Sequence, residues 1–383
     1  MIRALVTDVH LRNAVAGLRA LGLAGVPVLA MGPARTAAGL WSKRRDVAAV
    51  GPDVLEDPQA FVRRIVALAE THGPLVVYPG QEESIDALVA HADMLGERAV
   101  LPYPRPEVLP ALRDKRALAE LGASAGLAGP PTLAWGTAEE LRSFRPEAAV
   151  VLKPRMPASH LGTAKVARSH EELTVLLDDL PPDDEVFIQE HVPGELLSLE
   201  LVVRHDGTPA SLFQQRVLRT WPAEAGGVAA AVSVPVDAEL AARATRMLTS
   251  AGYAGLVQLQ FVDGPDGPLL IDLNPRFYGP LPLSLACGLN LPAAWHAIVL
   301  GQDSPTPRPY KTGLGYRRLQ ADLVASVRGY PRRLLARPPS LAAGAMWSRD
   351  DPVPGVLLGA REVAIRLGPR LRRIRAAAGG ARR

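Results

Sequence analysis

Short apolar runs alternate with amphipathic stretches through the first hundred residues of the chain. The apolar runs read IRALV, VPVLA and LVVYP, and helix-like stretches lie between them, one through Leu21 and one from Asp57 to His72. This alternation predicts a βαβα layer built on a parallel sheet. The stretch after the first run, TDVHLRNAVAG, contains no GxGxxG motif, which disfavours a nicotinamide-binding domain.

A second type of pattern begins after residue 110. The segment PYPRPEVLP, residues 102–110, is stiff and extended and predicts a connector between domains. Beyond it, helices are interspersed with strand-like runs such as VFIQEHV, LVQLQFV and LLIDL, and a hairpin is expected at Asp206-Gly207. The second half is therefore predicted to be α+β with mainly antiparallel strands. A length of 383 residues with 48% apolar content indicates two or three domains.

The basic residues are unevenly distributed along the chain. Residues 328–383 contain 13 Arg and 3 acidic residues, a net charge of +10, which leaves −6 on residues 1–327 out of the total of +4. We therefore expect a mildly acidic body and a basic tail, which docks on that body, on an acidic partner or on an anionic membrane surface. A single Cys, the lack of a secretory signal pattern and the absence of a long apolar run predict a cytoplasmic protein.

Two lysines occur in contexts that suggest contact with an anion. Only five of the 43 basic residues are Lys, and Lys153 ends the continuous apolar strand VVLK. Burying an ammonium group there is costly unless an anion neutralises it, although a lysine on an edge strand could also reach solvent. Lys115 follows Asp114 at the start of a helix, where a solvated helix face would explain it equally well.

The segment IQEHVPGELLSLE, residues 188–200, contains a strand that turns at Pro193-Gly194. Such a turn would leave the backbone groups of Glu190 to Val192 unpaired and available to a flat heteroaromatic ring. Glu195, just past the turn, could accept hydrogen bonds from ribose hydroxyls. A purely structural β-turn accounts for the same residues.

The segment with the strongest chemical signal is QF followed by a hairpin and IDLNPRFYGP. Gln260, Asp272 and Asn274 are predicted to lie on adjacent strands at two-residue spacing, so that their side-chain oxygens converge on one face. Hard oxygen donors with few carboxylates suit Mg²⁺ whose shell is completed by phosphate oxygens and water. Arg276 could contact the same phosphates. The alternative is a polar, solvent-facing side of an antiparallel sheet.

The ordered set DKR, VVLKPR, IQEHVPGE and QF...IDLNPR resembles the ATP-grasp superfamily, particularly its uncharacterised carboxylate-amine ligase-like members. The resemblance covers roughly residues 1 to 305. It implies ATP and Mg²⁺ as ligands and assigns residues to them. ATP phosphates are bound by Lys115 and Lys153, adenine by Gln189, Glu190 and Val192, ribose by Glu195, and Mg²⁺ by Gln260, Asp272 and Asn274.

Two further segments extend the resemblance. RMPASHLGTAK resembles the mobile loop that closes over the triphosphate, which adds Lys165 to the predicted ATP-binding residues. FQQRVLRTWP resembles the acceptor-side strand of the family, where Arg216 and Arg219 would bind a carboxylate or an acyl phosphate. By this resemblance, Lys153, Arg276 and Arg219 are the predicted catalytic residues.

The predicted metal motif departs from the usual family pattern in two positions. Asp272 stands where the family usually has Glu, and Gln260 replaces an acidic upstream ligand, as in carbamoyl phosphate synthetase-type relatives. Asp272 is one methylene shorter than Glu, and the combination of the two changes weakens the charge that holds Mg²⁺. A degenerate, catalytically weak ATP-binding module therefore remains an alternative.

The resemblance implies a division of the chain into an N-terminal parallel α/β domain, two ATP-grasp subdomains and a basic tail. The predicted ranges are 1–105 for the first domain, 106–190 for the lid subdomain, 191–305 for the subdomain with the metal site, and 306–383 for the extension.

The implied activity is ATP-dependent activation of a carboxylate as an acyl phosphate, followed by coupling to an amine. A carboxylase or synthetase on the same fold is the alternative within enzymes. The predicted partners are a small carboxylate and an amine, with no nucleic acid. The sequence does not determine the oligomeric state, and the tail lies outside the four nucleotide motifs.

Overall fold

The computed structural model describes residues 2–156, 160–223, 225–302, 307–328 and 340–362. Three sheets organise this part of the chain. The first is a parallel sheet in the order β3-β2-β1-β4-β5. Its strands are β1 Arg3–Val6, β2 Val28–Gly32, β3 Val47–Val50, β4 Leu75–Tyr78 and β5 Ala99–Val100. The predicted parallel α/β layer at the N-terminus is confirmed.

Helices cover this sheet with their apolar faces. They are α1 Arg12–Leu23, α2 Pro58–His72, α3 Glu82–Ala90 and the short α4 Ala92–Leu95. The α2 helix begins where the sequence predicts, because the Asp57 side chain accepts a hydrogen bond from Ala60 N and Pro58 occupies the first turn. Its face with Phe61, Val62 and Ile65 is buried against the sheet.

The second sheet is antiparallel and has the order β6-β9-β7-β8. Its strands are β6 Thr132–Thr137, β7 Val150–Pro154, β8 Lys165–Ala167 and β9 Glu185–Glu190. The helices of this region are α5 Leu109–Arg113, α6 Lys115–Ser124, α7 Ala138–Leu141 and α8 His170–Asp178. Apolar side chains of α7 and α8 pack with Val150, Leu152 and Ile188 into a separate small core.

The third sheet is the largest and runs in the order β14-β13-β10-β11-β12-β15-β16. Its strands are β10 Glu195–Val203, β11 Pro209–Trp221, β12 Gly227–Val234, β13 Gly255–Gly264, β14 Gly267–Asn274, β15 Leu314–Arg317 and β16 Ser340–Gly344. Its helices are α9 Ala238–Ser250, α10 Leu281–Ala286, α11 Leu291–Val299 and α12 Leu319–Arg328. All pairings are antiparallel except β15 with β16.

Residues 340–362 are integrated into this architecture, although they belong to the extension predicted for residues 306–383. The β16 strand completes the large sheet, and the Asp351 carboxylate is buried against the N-terminal domain. It accepts hydrogen bonds from Arg19 Nε at 2.8 Å, Ser42 Oγ at 2.7 Å and Lys43 N at 2.9 Å. The large sheet therefore extends beyond residue 305, where the predicted subdomain with the metal site ends.

The basic tail predicted from residue 328 onward is described at residue 328 and over residues 340–362, and the rest lies outside the described residues. Among the residues that the structure describes, no helix is long and apolar enough to cross a membrane.

Candidate active site

A cleft of about 410 Å³ is lined by residues of the second and third sheets together with Glu82 of the N-terminal domain. Most of the predicted site residues line this cleft. They are Lys115, Lys153, Gln189, Glu190, Val192, Gln260, Asp272, Asn274 and Arg276. Residues distant in sequence are therefore brought to one site, between two sheets whose antiparallel strands present alternate side chains to the cleft.

The proposed metal ligands lie on β13 and β14 at the base of the cleft. Gln260 is directly opposite Asp272 in the antiparallel register, and Asn274 follows two residues later. Opposed residues and residues two apart project to the same face, so the three side chains share one side of the sheet. Asp272 Oδ2 accepts a hydrogen bond from Asn274 Nδ2 at 3.0 Å.

The chemistry of these donors fits a hard divalent cation. Across the described residues there is no group of three or more His, Cys, Asp or Glu suited to holding a metal. A cation here would instead have one carboxylate, from Asp272, and the amide oxygens of Gln260 and Asn274, with the remaining positions left to substrate oxygens and water. Mg²⁺ is commonly held in this way, through one or two carboxylates and substrate phosphates.

Two ammonium groups lie near the Asp272 carboxylate, and one of them contacts it. Asp114 caps α6 by accepting a hydrogen bond from Arg116 N at 2.8 Å, which fixes Lys115 in the first turn. Lys115 Nζ forms an ion pair with Asp272 Oδ1. Lys153, at the end of β7, donates from Nζ to the carbonyl oxygen of Ile271 at 3.0 Å. Two cations thus share a single carboxylate, which leaves one positive charge for a ligand.

The pKa values of this group reflect the arrangement. The pKa of Lys153 is lowered to about 8, mainly by burial and also by repulsion from Lys115, while attraction to Asp272 opposes both effects. Burial acts to raise the pKa of Asp272, but Lys115, Lys153 and the Asn274 amide outweigh it and hold this pKa below its usual value. Asp272 is therefore ionised at neutral pH.

Arg276 is positioned by a residue that the sequence analysis did not identify. Its Nε donates to Glu82 Oε1 at 2.6 Å, and its Nη2 donates to Asn274 Oδ1 at 3.1 Å. The other oxygen of Glu82 accepts from Arg113 Nε at 2.6 Å, and Arg113 also pairs with Asp86. The available signal was topological, because Glu82 follows the carboxyl end of a parallel strand, where ligand sites of open α/β sheets occur.

In the strand predicted to bind a heteroaromatic ring, the hydrogen-bonding groups without a partner in the described structure are not those expected. Glu190 N donates to Pro131 O at 2.9 Å and His191 N donates to Ala149 O at 3.1 Å, so these two amides are paired. The expectation that they are unpaired was wrong, because neighbouring loop carbonyls reach them. A buried acceptor without a partner in the described structure is Oε1 of Gln189, whose Nε2 donates to Pro130 O at 3.1 Å.

The remaining predicted residues do not line the cleft. Glu195 forms an exposed ion pair with Arg216 at 3.3 Å. Lys165 stands between Ala164 and Val166, which line the cleft, whereas Lys165 does not. Alternation along a strand accounts for its different direction.

Arg219 is almost completely buried outside the cleft. It forms an ion pair with Asp322 Oδ1, and Arg317 Nε donates to the other oxygen of Asp322 at 2.6 Å. A β-bulge on both sides of Arg219 shifts the register of β11 here, and the next residue, Thr220, lines the cleft instead. The structure thus places Arg219 in a buried ion cluster rather than beside the other predicted catalytic residues.

Known proteins resemble this chain both in sequence and in structure. Residues 183–321 match the family described as ATP-grasp in the biosynthetic pathway with Ter operon. The chain is also 26% identical to a D-alanine–D-alanine ligase of Corynebacterium aurimucosum over 164 residues, which is 39% of this chain. That match covers 46% of the ligase, so it extends over about half of the curated relative.

Solved structures share the fold over most of the chain. Biotin carboxylase from Campylobacter jejuni, in a β-γ-ATP complex, superposes with a TM-score of 0.64 at 14% identity, covering 82% of this chain and 74% of that one. The biotin carboxylase domain of Hydrogenobacter thermophilus 2-oxoglutarate carboxylase, with MgADP and bicarbonate, gives a TM-score of 0.61 at 15% identity, with coverages of 82% and 73%. These structural similarities show that the chain shares the fold of biotin carboxylases, and residues 183–321 resemble an ATP-grasp family.

Proposed function

We propose that the protein is an ATP-dependent ligase that activates a carboxylate as an acyl phosphate and couples it to an amine. The observation that carries this proposal is the pair of lysines around Asp272, partly buried in the cleft, which together carry one positive charge more than Asp272 neutralises. A triphosphate supplies the missing negative charge. Phosphoryl transfer depends mainly on such electrostatic positioning.

Different residues of the cleft bind the phosphates, the nucleobase and Mg²⁺. Lys115 and Lys153 bind phosphate oxygens, and the unpaired Oε1 of Gln189 accepts a hydrogen bond from the nucleobase. Asp272 and Asn274, with Gln260, would hold Mg²⁺, which neutralises charge on the phosphates when it is bound. Neutralisation by the lysines lowers the barrier without requiring a nucleophilic side chain.

The reaction has two bond exchanges. An oxygen of the substrate carboxylate attacks the γ-phosphorus, and the bond from that phosphorus to the ADP oxygen breaks. The amine nitrogen then attacks the acyl carbon, the bond from carbon to the phosphate oxygen breaks, and the amine loses a proton. Arg276, held by Glu82 at 2.6 Å, binds the oxygens that gain negative charge in these steps.

The relatives favour two versions of this chemistry. Similarity to a protein named D-alanine–D-alanine ligase supports amide formation. Likeness to biotin carboxylases, one of them solved with bicarbonate, supports bicarbonate as the activated carboxylate instead. Amine coupling is our first choice because the sequence match, unlike the structural one, is to a ligase of this type.

ADP release tests the proposal directly. The full chain is incubated with Mg-ATP and pools of small carboxylic acids, amino acids and bicarbonate, and the products are identified by mass spectrometry. We expect ADP release that requires both an acid and an amine, together with a product that has lost one water. Bicarbonate-dependent release without an amine would support the carboxylase, and ATP binding without ADP release in any pool would support a catalytically weak module.

A further inference from the structure

A second group of charges adjoins the cleft, and none of the predicted site residues belongs to it. Arg318 donates from Nε to Glu362 Oε1 at 3.0 Å, and its Nη2 lies 2.8 Å from the same oxygen. Arg12, in the first turn of α1, has its Nη1 3.6 Å from that oxygen as well. Three distant segments of the chain therefore bring two guanidinium groups and one carboxylate together.

The hydrogen bonding of this cluster is incomplete. Both arginines approach Oε1 of Glu362, while Oε2 is buried and has no partner in the described part of the chain. Within the same residues, no protein acceptor takes a hydrogen bond from Arg12 Nη2 or Arg318 Nη1. A purely structural bridge would use both carboxylate oxygens, because a guanidinium binds a carboxylate best in two-point fashion. The cluster instead retains one uncompensated positive charge.

The cluster is partly withdrawn from solvent. The Arg12, Arg318 and Glu362 side chains are 28%, 16% and 16% exposed. Burial lowers the pKa of Arg12, attraction to Tyr316 opposes this effect, and repulsion from Arg318 adds to it. Charges held this close in partial burial interact more strongly with an incoming anion than they would on an open surface.

Two glycines locate the cluster relative to the cleft. A Cβ on Gly227 would lie 4.0 Å from Arg12 Nη2 and from Arg318 Nη1, and a Cβ on Gly279 would lie 3.9 Å from Arg12 Nη2. Gly227 lines the cleft, and Gly279 follows Arg276 by three residues. Neither glycine has a positive φ, so no left-handed backbone accounts for their presence. A side chain at either position would therefore lie beside the two guanidinium groups, at the edge of the cleft.

From this geometry we propose that Arg12 and Arg318 bind a free carboxylate of the amine substrate, which is an amino acid. This inference rests on the proposed ligase function and specifies its substrate class. Glu362 holds the two guanidinium groups side by side, and their unused nitrogens face the carboxylate. The carboxylate that is phosphorylated binds instead beside Lys153 and Arg276. The carboxylate bound by Arg12 and Arg318 is therefore a different one, and it does not react.

Binding measurements on the full chain test this assignment. Titration calorimetry is carried out in the presence of Mg²⁺ and a non-hydrolysable ATP analogue, with each of the common amino acids and with the corresponding amino acid amides. We expect at least one amino acid to bind and its amide to bind at least about tenfold more weakly, a difference of about 1.4 kcal/mol. Arg12→Met and Arg318→Met should each weaken amino acid binding by about tenfold or more and leave the affinity for the ATP analogue unchanged.

Matched variants separate this role from a loss of folding. Arg12→Lys and Arg318→Lys keep the charge but not the two-point geometry, so they should weaken binding less than the Met variants. Arg63→Met, at an exposed arginine paired only loosely with Asp57, should bind like the parent protein.

Three outcomes would overturn the assignment. They are equal binding of amino acids and amides, unchanged amino acid affinity in folded Met variants, and the absence of binding by every amino acid. The proposed function fails separately, through the absence of ADP release with any pair of acid and amine, even where amino acid binding persists.

Discussion

Two places in this protein each combine two basic side chains with one aspartate, and they differ in whether each charge has a partner of opposite charge. In the first, which we call the closed cluster, Arg219 and Arg317 bind opposite oxygens of Asp322. The Asp322 side chain is 0% exposed and the Arg219 side chain 2%. Each oxygen of the aspartate has its own guanidinium partner, so no position is left for a ligand.

The base of the cleft also has two basic side chains and one aspartate, but there the two cations do not each have their own anionic partner. Lys115 pairs with Asp272, while Lys153 donates, among the described residues, to the uncharged Ile271 carbonyl at 3.0 Å, and its pKa falls to about 8. The charge count is the same in the two places, but the base of the cleft is more exposed, at 13% for the Lys115 side chain and 30% for that of Asp272. The two places also differ in whether each cation has its own anionic partner, and a cation that lacks one inside a cleft indicates a ligand site.

The largest effect is expected when the closed cluster is broken. Asp322→Asn leaves the buried guanidinium group of Arg219 and the partly exposed one of Arg317 without this anion, so the free energy of unfolding should fall by about 3 to 5 kcal/mol. Denaturant unfolding measures the loss. The exposed Asp178, paired with Arg142, provides the control, and Asp178→Asn should change stability by less than about 0.5 kcal/mol.

Arg219→Met tests the same cluster from the other side and tests the predicted catalytic role of Arg219. We expect a less stable protein whose ATP affinity matches that of the parent. A drop in turnover at unchanged stability would contradict the structural role and support catalysis.

Removing Lys153, the cation without its own anionic partner, should affect ligand binding rather than stability. Lys153→Ala should weaken ATP binding by about tenfold or more, or about 1.4 kcal/mol, with little loss of stability, because it removes a buried charge that the protein does not neutralise. Calorimetric titration with ATP measures the change. Lys165→Ala on β8 is the matched control, since Lys165 does not line the cleft. An equal loss of ATP affinity in both variants would favour the predicted role of Lys165 in ATP binding. It would also contradict the idea that the cation without an anionic partner marks the ligand site.

The carboxylate at the base of the cleft should matter for magnesium rather than for folding. Asp272→Asn removes the charged member of the proposed metal set, so the Mg²⁺ concentration for half-maximal ADP release should rise about fivefold, and added Mg²⁺ should partly restore the rate. Asp263→Asn, at the exposed end of β13, serves as the control. An unchanged Mg²⁺ dependence in Asp272→Asn would place the metal elsewhere.

The smallest effect concerns pH. With a pKa of about 8, Lys153 is protonated at pH 7 and largely neutral well above pH 8 in the free protein. ATP binding favours the protonated form, so affinity should be constant below this pKa and should fall above it, by about fourfold between pH 7 and pH 8.5. Titrations over this range measure the slope. The same decline in Lys153→Ala would assign it to another group.

The sequence predicted those parts of the structure that depend on local periodicity. The parallel layer followed from alternating runs such as β1 and β4, and the shared face of Asp272 and Asn274 followed from two-residue spacing along a strand. The direction of Arg219 could not be predicted, because a bulge with no clear sequence signature changes the alternation of β11. The pairing of the His191 amide also depends on a tertiary contact, with the Ala149 carbonyl.

The Glu82 contact bears on how this chain can be recombined with its relatives. Its carboxylate joins Arg113 and Arg276, which lie 31 and 194 residues away in sequence, so the N-terminal domain supplies one side of the ion network that aligns Arg276. A chimera whose first hundred residues come from another protein would inherit Arg276 without its partner unless an acidic residue is transplanted with the new domain. The N-terminal domain and the cleft are therefore expected to diverge together, as a matched pair rather than as interchangeable modules.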